Sequence, residues 1–334
     1  MFACPIRHRR LKNLRHICVD EAATDPLSRK CMAGRPRLHE GLNLLAITAP
    51  NVGLLDIGAH IGFISLVFAA AGRAVHAIEA NPRNHALLSD SAKLNGFSHL
   101  IATNVAVSDK PGVLSFMSAG AFSHVVNAHM PQQNNTINVA CVDLDSWPEA
   151  SGIPERIIVK MDIEGHEPQA LRGMSRFLRD RRLPPIFIES NAHCLHWSDA
   201  TPESLAKSLE DLGYELFLCR RARLLLWRDR FRLLPWDSSQ HQGRTLENVL
   251  CVQRGDERVN LPVPAARLSE SDFASEFLHH VRKRGVDQRR SASRLLLRLS
   301  PEQLRDVRIV KAIAILSTAA DPEIVEALRL LRMR

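Results

Sequence analysis

Residues 52–66, VGLLDIGAHIGFISL, followed by residues 74–82, AVHAIEANP, carry the clearest architectural pattern in the chain. Val52 to Ile57 is an apolar run of strand length. It stops at Asp56-Ile57-Gly58-Ala59-His60-Ile61-Gly62, after which Ile64, Leu66, Val67 and Ala70 recur at helical spacing. The pattern predicts a strand, a glycine turn and a helix. Gly58 and Gly62 suit a backbone that passes close to a ligand, because a side chain at either position would occupy the ligand's volume or forbid the turn's dihedrals. The second strand ends at Glu79, about twenty positions on, where a doubly wound sheet places a carboxylate for ribose hydroxyls.

A ribose-bearing cofactor is the first inference, and the turn's composition narrows it. A dinucleotide site needs a third glycine and free helix N-terminal amides for a pyrophosphate, whereas this turn reads D-x-G-x-x-x-G. Asp56 would repel a pyrophosphate but suits a cationic ligand such as the sulfonium and ammonium groups of S-adenosyl-L-methionine. Methyl transfer is therefore expected over hydride transfer. The residues Asp56, Gly58, Ala59, His60 and Gly62 are expected against the cofactor's amino-acid part, with Glu79 on its ribose.

The chain has 334 residues, of which 45% are hydrophobic and 24% charged, enough for one large core or two modest ones. No apolar run approaches the roughly 18 residues of a membrane span, and the first 25 residues hold no hydrophobic segment of signal type. The cytoplasm is the expected location. Seven cysteines, odd in number and free of any C-x-x-C pair, suit reduced thiols. The N-terminal group Cys4, His8, His16, Cys18, Cys31 and His39 matches no metal-ligand spacing, and no metal is assigned from sequence. The net charge of +8 is uneven. Residues 1–50 carry nine Lys/Arg against four Asp/Glu, residues 255–334 fifteen against eleven, and the middle is near neutral.

Beyond Glu79 the elements alternate. A helix over Pro82 to Asn95, closed by Gly96, precedes a strand through Ile101 to Val107. Gly112 to Met117 and Ile137 to Val142 read as short strands around a polar loop with His124, Asn127, His129 and Asn134. Arg156 to Asp162 is a buried strand, Pro168 to Leu178 a helix, and Pro185 to Glu189 a strand. Pro202 to Leu212 is a helix closed by Gly213, and Tyr214 to Cys219 and Leu246 to Val252 are strands, the last of them antiparallel. The fold expected is α/β and Rossmann-like, a mostly parallel seven-stranded sheet with an antiparallel last strand. Pro262 and Pro264 mark a linker, and helices are expected to start at Ser271, at Ser300-Pro301-Glu302 and at Asp321-Pro322-Glu323. The divisions are a basic N-terminal extension (1–50), a cofactor-binding domain (51–254) and a helical C-terminal extension (255–334), the last a candidate partner-binding unit.

Over roughly Asn51 to Val252 the chain resembles the FkbM family of S-adenosylmethionine-dependent methyltransferases. DIGAHIG (Asp56 to Gly62) looks like the family's first motif and IEANP (Ile78 to Pro82) like its second, which brings Ala80 and Asn81 into the expected cofactor site. NVAVSD (Asn104 to Asp109) resembles the segment lining the adenine side, which adds Asn104 and Val105. VDLDSW (Val142 to Trp147), VKMDIEGHE (Val159 to Glu167) and ENVLCV (Glu247 to Val252) complete the ordered series. The resemblance implies a class I methyltransferase fold and O-methylation, often of sugar or polyketide hydroxyls. It does not extend to the insertion Cys219 to Arg232, whose six arginines against one aspartate would suit an acidic acceptor.

A sugar hydroxyl is a poor nucleophile at neutral pH, so a carboxylate or imidazole has to accept its proton as the new bond forms. Asp162, Glu164 and His166 follow the RIIVKMD strand, at the carboxyl edge where an open α/β sheet binds ligands. Asp162 is expected beside the cofactor and acceptor, Glu164 in structural or acceptor bonding, and His166 as the proton acceptor. Glu189, Asn191 and His193 follow the next strand as reserve acceptor contacts. Asp162, Glu164 and Glu189 together would suit a magnesium ion chemically. Two other classes compete. A nucleic-acid methyltransferase would fit the basic ends, but the chain has one tyrosine and no D/N-P-P-Y/F segment to hold a flipped base. A non-catalytic scaffold is opposed by the presence of Asp56, Gly58, Gly62, Glu79 and Asp162 together.

Overall fold

The structure, a computed structural model, describes residues 2–5, 14–20, 26–33, 51–118, 123–126, 136–222, 230–237, 246–253, 299–318 and 321–332. Isolated positions between 42 and 49 and between 256 and 296 are described as well. The strands are β1 (Phe2–Pro5), β2 (His16–Val19), β3 (Gly53–Ile57), β4 (Val75–Ile78), β5 (Leu100–Thr103), β6 (Ala106–Val107) and β7 (Gly112–Met117). They continue with β8 (His124–Val125), β9 (Thr136–Val142), β10 (Ile157–Met161), β11 (Ile186–Asn191), β12 (Glu215–Ala222), β13 (Arg230–Pro235) and β14 (Leu246–Val252). The helices are α1 (Pro26–Met32), α2 (Phe63–Ala70), α3 (Pro82–Asn95), α4 (Glu167–Arg172), α5 (Ser175–Asp180), α6 (Ala192–Trp197), α7 (Pro202–Leu212), α8 (Val307–Leu316) and α9 (Pro322–Arg332).

The main sheet runs in the order β13-β12-β14-β11-β10-β3-β4-β5. Strands β11, β10, β3, β4 and β5 are mutually parallel, and β14 lies antiparallel between β11 and β12. The last strand is thus inserted rather than appended. The sheet has eight strands where the sequence predicts seven, because β12 turns back through the arginine-rich insertion into β13. Residues 223–229 of that insertion lie outside the described residues.

Strand pleating sorts the core. Leu54, Ile158, Phe187 and Leu250 fall in one hydrophobic cluster, and their neighbours Leu55, Val159, Ile188 and Val249 fall in the other. The first cluster meets Phe63 and Leu66 of α2 and Leu87 and Leu88 of α3, and the second meets Leu171, Phe177, Leu195, Leu205 and Leu209 of α4 to α7. Both faces of the central strands are therefore covered, which is why VGLLDI and RIIVKMD read as continuous apolar runs. Leu14, Ile17, Val19, Leu42 and Leu45 also belong to the first cluster. Part of the basic N-terminal extension is thus core, held by Cys18 N–H to Ser91 Oγ at 2.8 Å and by Asn95 to His16. A separate cluster around Phe277, Leu296, Ile309, Leu316 and Ile324 serves the C-terminal residues. Among the described residues, no helix is long and apolar enough to cross a membrane.

Three expected elements differ. The strand through Ile101 to Val107 divides at Asn104, whose amide donates to the carbonyls of Glu79 and Ala80, and β6 leaves to pair with β9 in a second sheet, β6-β9-β7-β8. The helix over Pro168 to Leu178 breaks at Gly173, where a Cβ would lie 1.9 Å from the Ser108 carbonyl oxygen. It restarts as α5 under the Asp145 carboxylate, which accepts from Arg176 N–H and Phe177 N–H. Ser300 heads only a 3-10 turn, and Asp306 caps α8 instead by accepting from Arg308 N–H at 2.7 Å. Ser271, Asn127, His129 and Asn134 lie outside the described residues.

Candidate functional site

A cavity of about 770 Å³ opens at the carboxyl ends of β3, β4, β10 and β11. Gly58, Ala59 and His60 of the glycine turn line it, with Ile78, Glu79, Ala80 and Val105 on one side and Asp162, Glu164, His166, Glu189, Asn191 and His193 on another. Of the residues expected to hold the cofactor, Gly58, Ala59, His60, Glu79, Ala80 and Val105 do line it. Asp56, Gly62, Asn81 and Asn104 are not among its lining residues.

Those four shape the site from behind. Asp56 is fully buried, accepting from the Ser65 hydroxyl at 2.6 Å and facing the Lys160 ammonium at 3.4 Å. Gly62 starts α2 at φ +84°, and a Cβ there would meet Leu88 at 2.1 Å. Gly58, at φ +79°, lies so close to β10 that a Cβ would fall 1.9 Å from the Asp162 carbonyl oxygen. Both glycines answer to packing within the protein. Asn81 caps α3 through Arg83 N–H and donates to the hydroxyls of Ser118 and Ser123.

Glu79 joins the two turns. Its Oε2 accepts from His60 N–H at 2.7 Å and its Oε1 from Asn81 N–H at 2.9 Å. Burial raises its pKa, and the two backbone donors oppose that rise. The Asn84 side chain also bonds this carboxylate, which with about four lone-pair sites can still accept a hydroxyl from the cavity. Beside it, Ile78, Ala80, Val105, Ala106 and Phe116 form an apolar lining. A carboxylate bordering an apolar slot suits a purine nucleoside: acceptors for the diol and apolar walls for the base.

Lys160, which the sequence reading passed over, occupies the middle of the site. It is in direct register with Asp56 across β10 and β3, its Nζ donates to the Gly58 carbonyl at 2.6 Å, and Asp162 Oδ2 stands 3.6 Å away. Burial works against its charge, but Asp162 and Asp56 outweigh that and hold its pKa above the usual value. The signal was available: a lysine inside an otherwise apolar strand needs acidic partners.

The chain turns sharply after β10. Glu164 has φ +51° and Gly165 φ +97°, and a Cβ on Gly165 would meet the Cys194 carbonyl oxygen at 2.2 Å. This left-handed pair brings the Glu164 carboxylate against α6. Its Oε2 accepts from Cys194 Sγ at 3.2 Å and from Asn191 Nδ2 at 3.4 Å. Burial, with Asp162 adding to it, pushes the Glu164 carboxyl up to about 7. Glu189 is raised well above the usual carboxylate range by burial and by its acidic neighbours. One oxygen from each of Asp162, Glu164 and Glu189 lies within 4.8 Å of the others, so the fold brings together the three carboxylates that the sequence offers to a hard cation.

His166 lines the same cavity but is otherwise engaged. Its Nε2 is 3.0 Å from the Ser108 hydroxyl, and burial pulls its pKa down to about 4. It is a neutral ring bound to the segment that carries NVAVSD. The aromatic wall of the cavity was not read from sequence. Trp197 packs against His124, with ring centres 4.9 Å apart, and against His193, at 4.6 Å. An isolated tryptophan in a polar stretch gives no periodic signal.

Residues 56–216 match the family described as the methyltransferase FkbM domain. Residues of this chain are also 25% identical, over 126 residues, to the hexuronic acid methyltransferase AglP of Haloferax volcanii. That match spans 38% of this chain and 51% of the relative, so the alignment covers about half the length of that curated protein. Among solved structures, a precorrin-6y C5,15-methyltransferase from Geobacter metallireducens aligns with 71% of this chain and 94% of its own, at 13% identity and a TM-score of 0.36. A TehB-like SAM-dependent methyltransferase from Corynebacterium glutamicum aligns with 68% of this chain and 94% of its own, at 14% identity and a TM-score of 0.38.

Proposed function

We propose that this chain, which carries a methyltransferase FkbM domain, moves a methyl group from S-adenosylmethionine to a hydroxyl of a sugar or related metabolite. The observation that carries the reading is the continuity of one cavity, from the Glu79 carboxylate and its apolar slot to the carboxylates of Asp162, Glu164 and Glu189. A cofactor and a polyhydroxyl acceptor can thereby share one cavity. The relative that methylates a hexuronic acid supports a sugar-like acceptor.

When bound, S-adenosylmethionine supplies an electrophilic methyl on a sulfonium, and the protein's task is chiefly alignment. Glu79 receives the ribose hydroxyls, and Ile78, Ala80 and Val105 exclude water around the base. Asp162, facing Lys160, has its charge partly balanced and positions the acceptor. Glu164 is the proton acceptor in this reading, in place of His166. Its Oε2 is fixed by Cys194 and Asn191, no donor among the described residues reaches its Oε1, and a pKa of about 7 matches the working range.

Calorimetry tests the cofactor assignment. Glu79→Ala should lower S-adenosylmethionine affinity by about one to two decades, the loss of charge-assisted bonds worth roughly 1.5–3 kcal/mol. Unchanged affinity in a folded variant would remove Glu79 from the site, and tighter binding of NAD than of S-adenosylmethionine would overturn the class.

A further inference from the structure

The second sheet walls the cavity with its last hairpin, β7 to β8. Strand β8 holds only His124 and Val125, which pair with Met117 and Phe116 of β7, and it ends the order β6-β9-β7-β8. All four of these residues line the cavity. At one end of the hairpin, Phe116 and Val125 share a hydrophobic cluster with Ala80, beside the apolar slot. At the other, His124 packs on the Trp197 ring of α6. One hairpin thus reaches from the slot expected to hold a nucleoside to the acceptor end. A two-residue pairing is a marginal structure by itself, so the position of this wall depends on what else holds it.

Asn81 supplies that hold. It is 2% exposed and is not among the lining residues. Its Nδ2 donates to Ser118 Oγ at 3.0 Å and to Ser123 Oγ at 3.1 Å, the residues that directly follow β7 and precede β8. Its Oδ1 accepts from Arg83 N–H at 3.0 Å. An amide nitrogen has two hydrogens, so both serve the two ends of the hairpin while the oxygen alone caps α3. The Asn81 backbone N–H donates to Glu79 Oε1 at 2.9 Å, which ties the carboxylate and the wall to the same turn. Resting on the reading that the cavity takes S-adenosylmethionine, we propose that Asn81 is a positioning residue for the cofactor. Through Ser118 and Ser123 it keeps Phe116 against the slot and His124 on Trp197. When these bonds are lost, a smaller fraction of chains has the wall in place, and apparent affinity falls by that fraction.

The test is a mutant cycle read by calorimetry on the full chain. Serine caps a helix about as well as asparagine but is too short to reach either hydroxyl, so Asn81→Ser removes the tether and keeps the cap. It should weaken S-adenosylhomocysteine binding about tenfold, the scale of two neutral hydrogen bonds. Binding of 5′-methylthioadenosine, which has the nucleoside without the amino-acid part, should weaken by the same factor. Ser118→Ala combined with Ser123→Ala breaks the same bonds from the other side and leaves the cap of α3 untouched. That pair should show the same loss, and the triple variant should show no more than either. Parental affinity in Asn81→Ser or in the serine pair overturns the inference. So do additive losses in the triple variant, or a loss confined to S-adenosylhomocysteine. Failure of the parent to bind either ligand would instead overturn the methyltransferase reading itself.

Discussion

Lys160 and Asp56 face each other in register on adjacent parallel strands, with Nζ 3.4 Å from Oδ1 and both side chains almost wholly buried. The carboxylate at the end of β3 is thus neutralised from within, and the same ammonium reaches Asp162 at the cavity wall. Removing one partner of such a pair leaves an uncompensated buried charge. Lys160→Met should therefore destabilise the protein by about 3–5 kcal/mol in urea denaturation. A loss below about 1 kcal/mol would show that Asp56 finds another partner.

On the proposed reading, the Glu164 carboxyl sets the pH dependence of turnover. A base must be ionised to work, so at saturating cofactor and acceptor the rate should rise through about pH 7 and level off above it. Glu164→Gln should be at least about a hundredfold slower and lose that limb, while binding S-adenosylmethionine within about threefold of the parent. His166→Ala should keep the limb, since His166 is already neutral throughout this range. A limb that vanishes in His166→Ala and persists in Glu164→Gln would return the role to the histidine.

Glu167 governs stability rather than rate. It is 1% exposed, its Oε1 accepts from Ile163 N–H, and burial pushes its carboxyl up to about 8. The folded protein therefore keeps a proton that the unfolded chain has released, and stability falls as pH rises from the ordinary carboxylate range through about 8. Glu167→Gln should melt with the parent near pH 5 and at least about 5 °C above it at pH 9. Parallel melting curves at both pH values would show that Glu167 ionises without cost.

Two glycines separate backbone conformation from collision. Gly72 has φ +77° with nothing within 4 Å of a built Cβ, whereas Gly58 has nearly the same φ and a backbone oxygen at 1.9 Å. Gly72→Ala should cost about 1–2 kcal/mol, the price of a left-handed alanine. Gly58→Ala should cost at least about 3 kcal/mol, because Asp162 would have to move as well. Equal losses in chemical denaturation would mean that β3 and β10 separate freely at this point.

The sheet was legible because its central strands are apolar on both faces and its helices carry terminal signals. Pro82 and Gly96 bound α3, and Pro202 and Gly213 bound α7. Cavity residues adjoining those signals, such as Gly58, Glu79 and Asp162, were found the same way. What was missed depended on contacts distant in sequence. Gly173 breaks a helix because of Ser108, Asp56 is paired with Lys160 from the neighbouring strand, and Glu164 acquires its environment from Cys194. Spacing along a chain does not encode which carbonyl or thiol lies opposite.

The eighth strand bears on self-association. As the terminal member of the main sheet, β13 presents one row of backbone donors and acceptors with no neighbouring strand among the described residues. A second copy of the chain could extend such a border, the route by which sheet proteins polymerise. Its sequence, RFRLLP, opens with two arginines and closes on a proline, and Arg232 faces Arg220 in register on β12. An incoming copy of this strand would bring more cationic charge to an already cationic border and meet a residue that cannot donate.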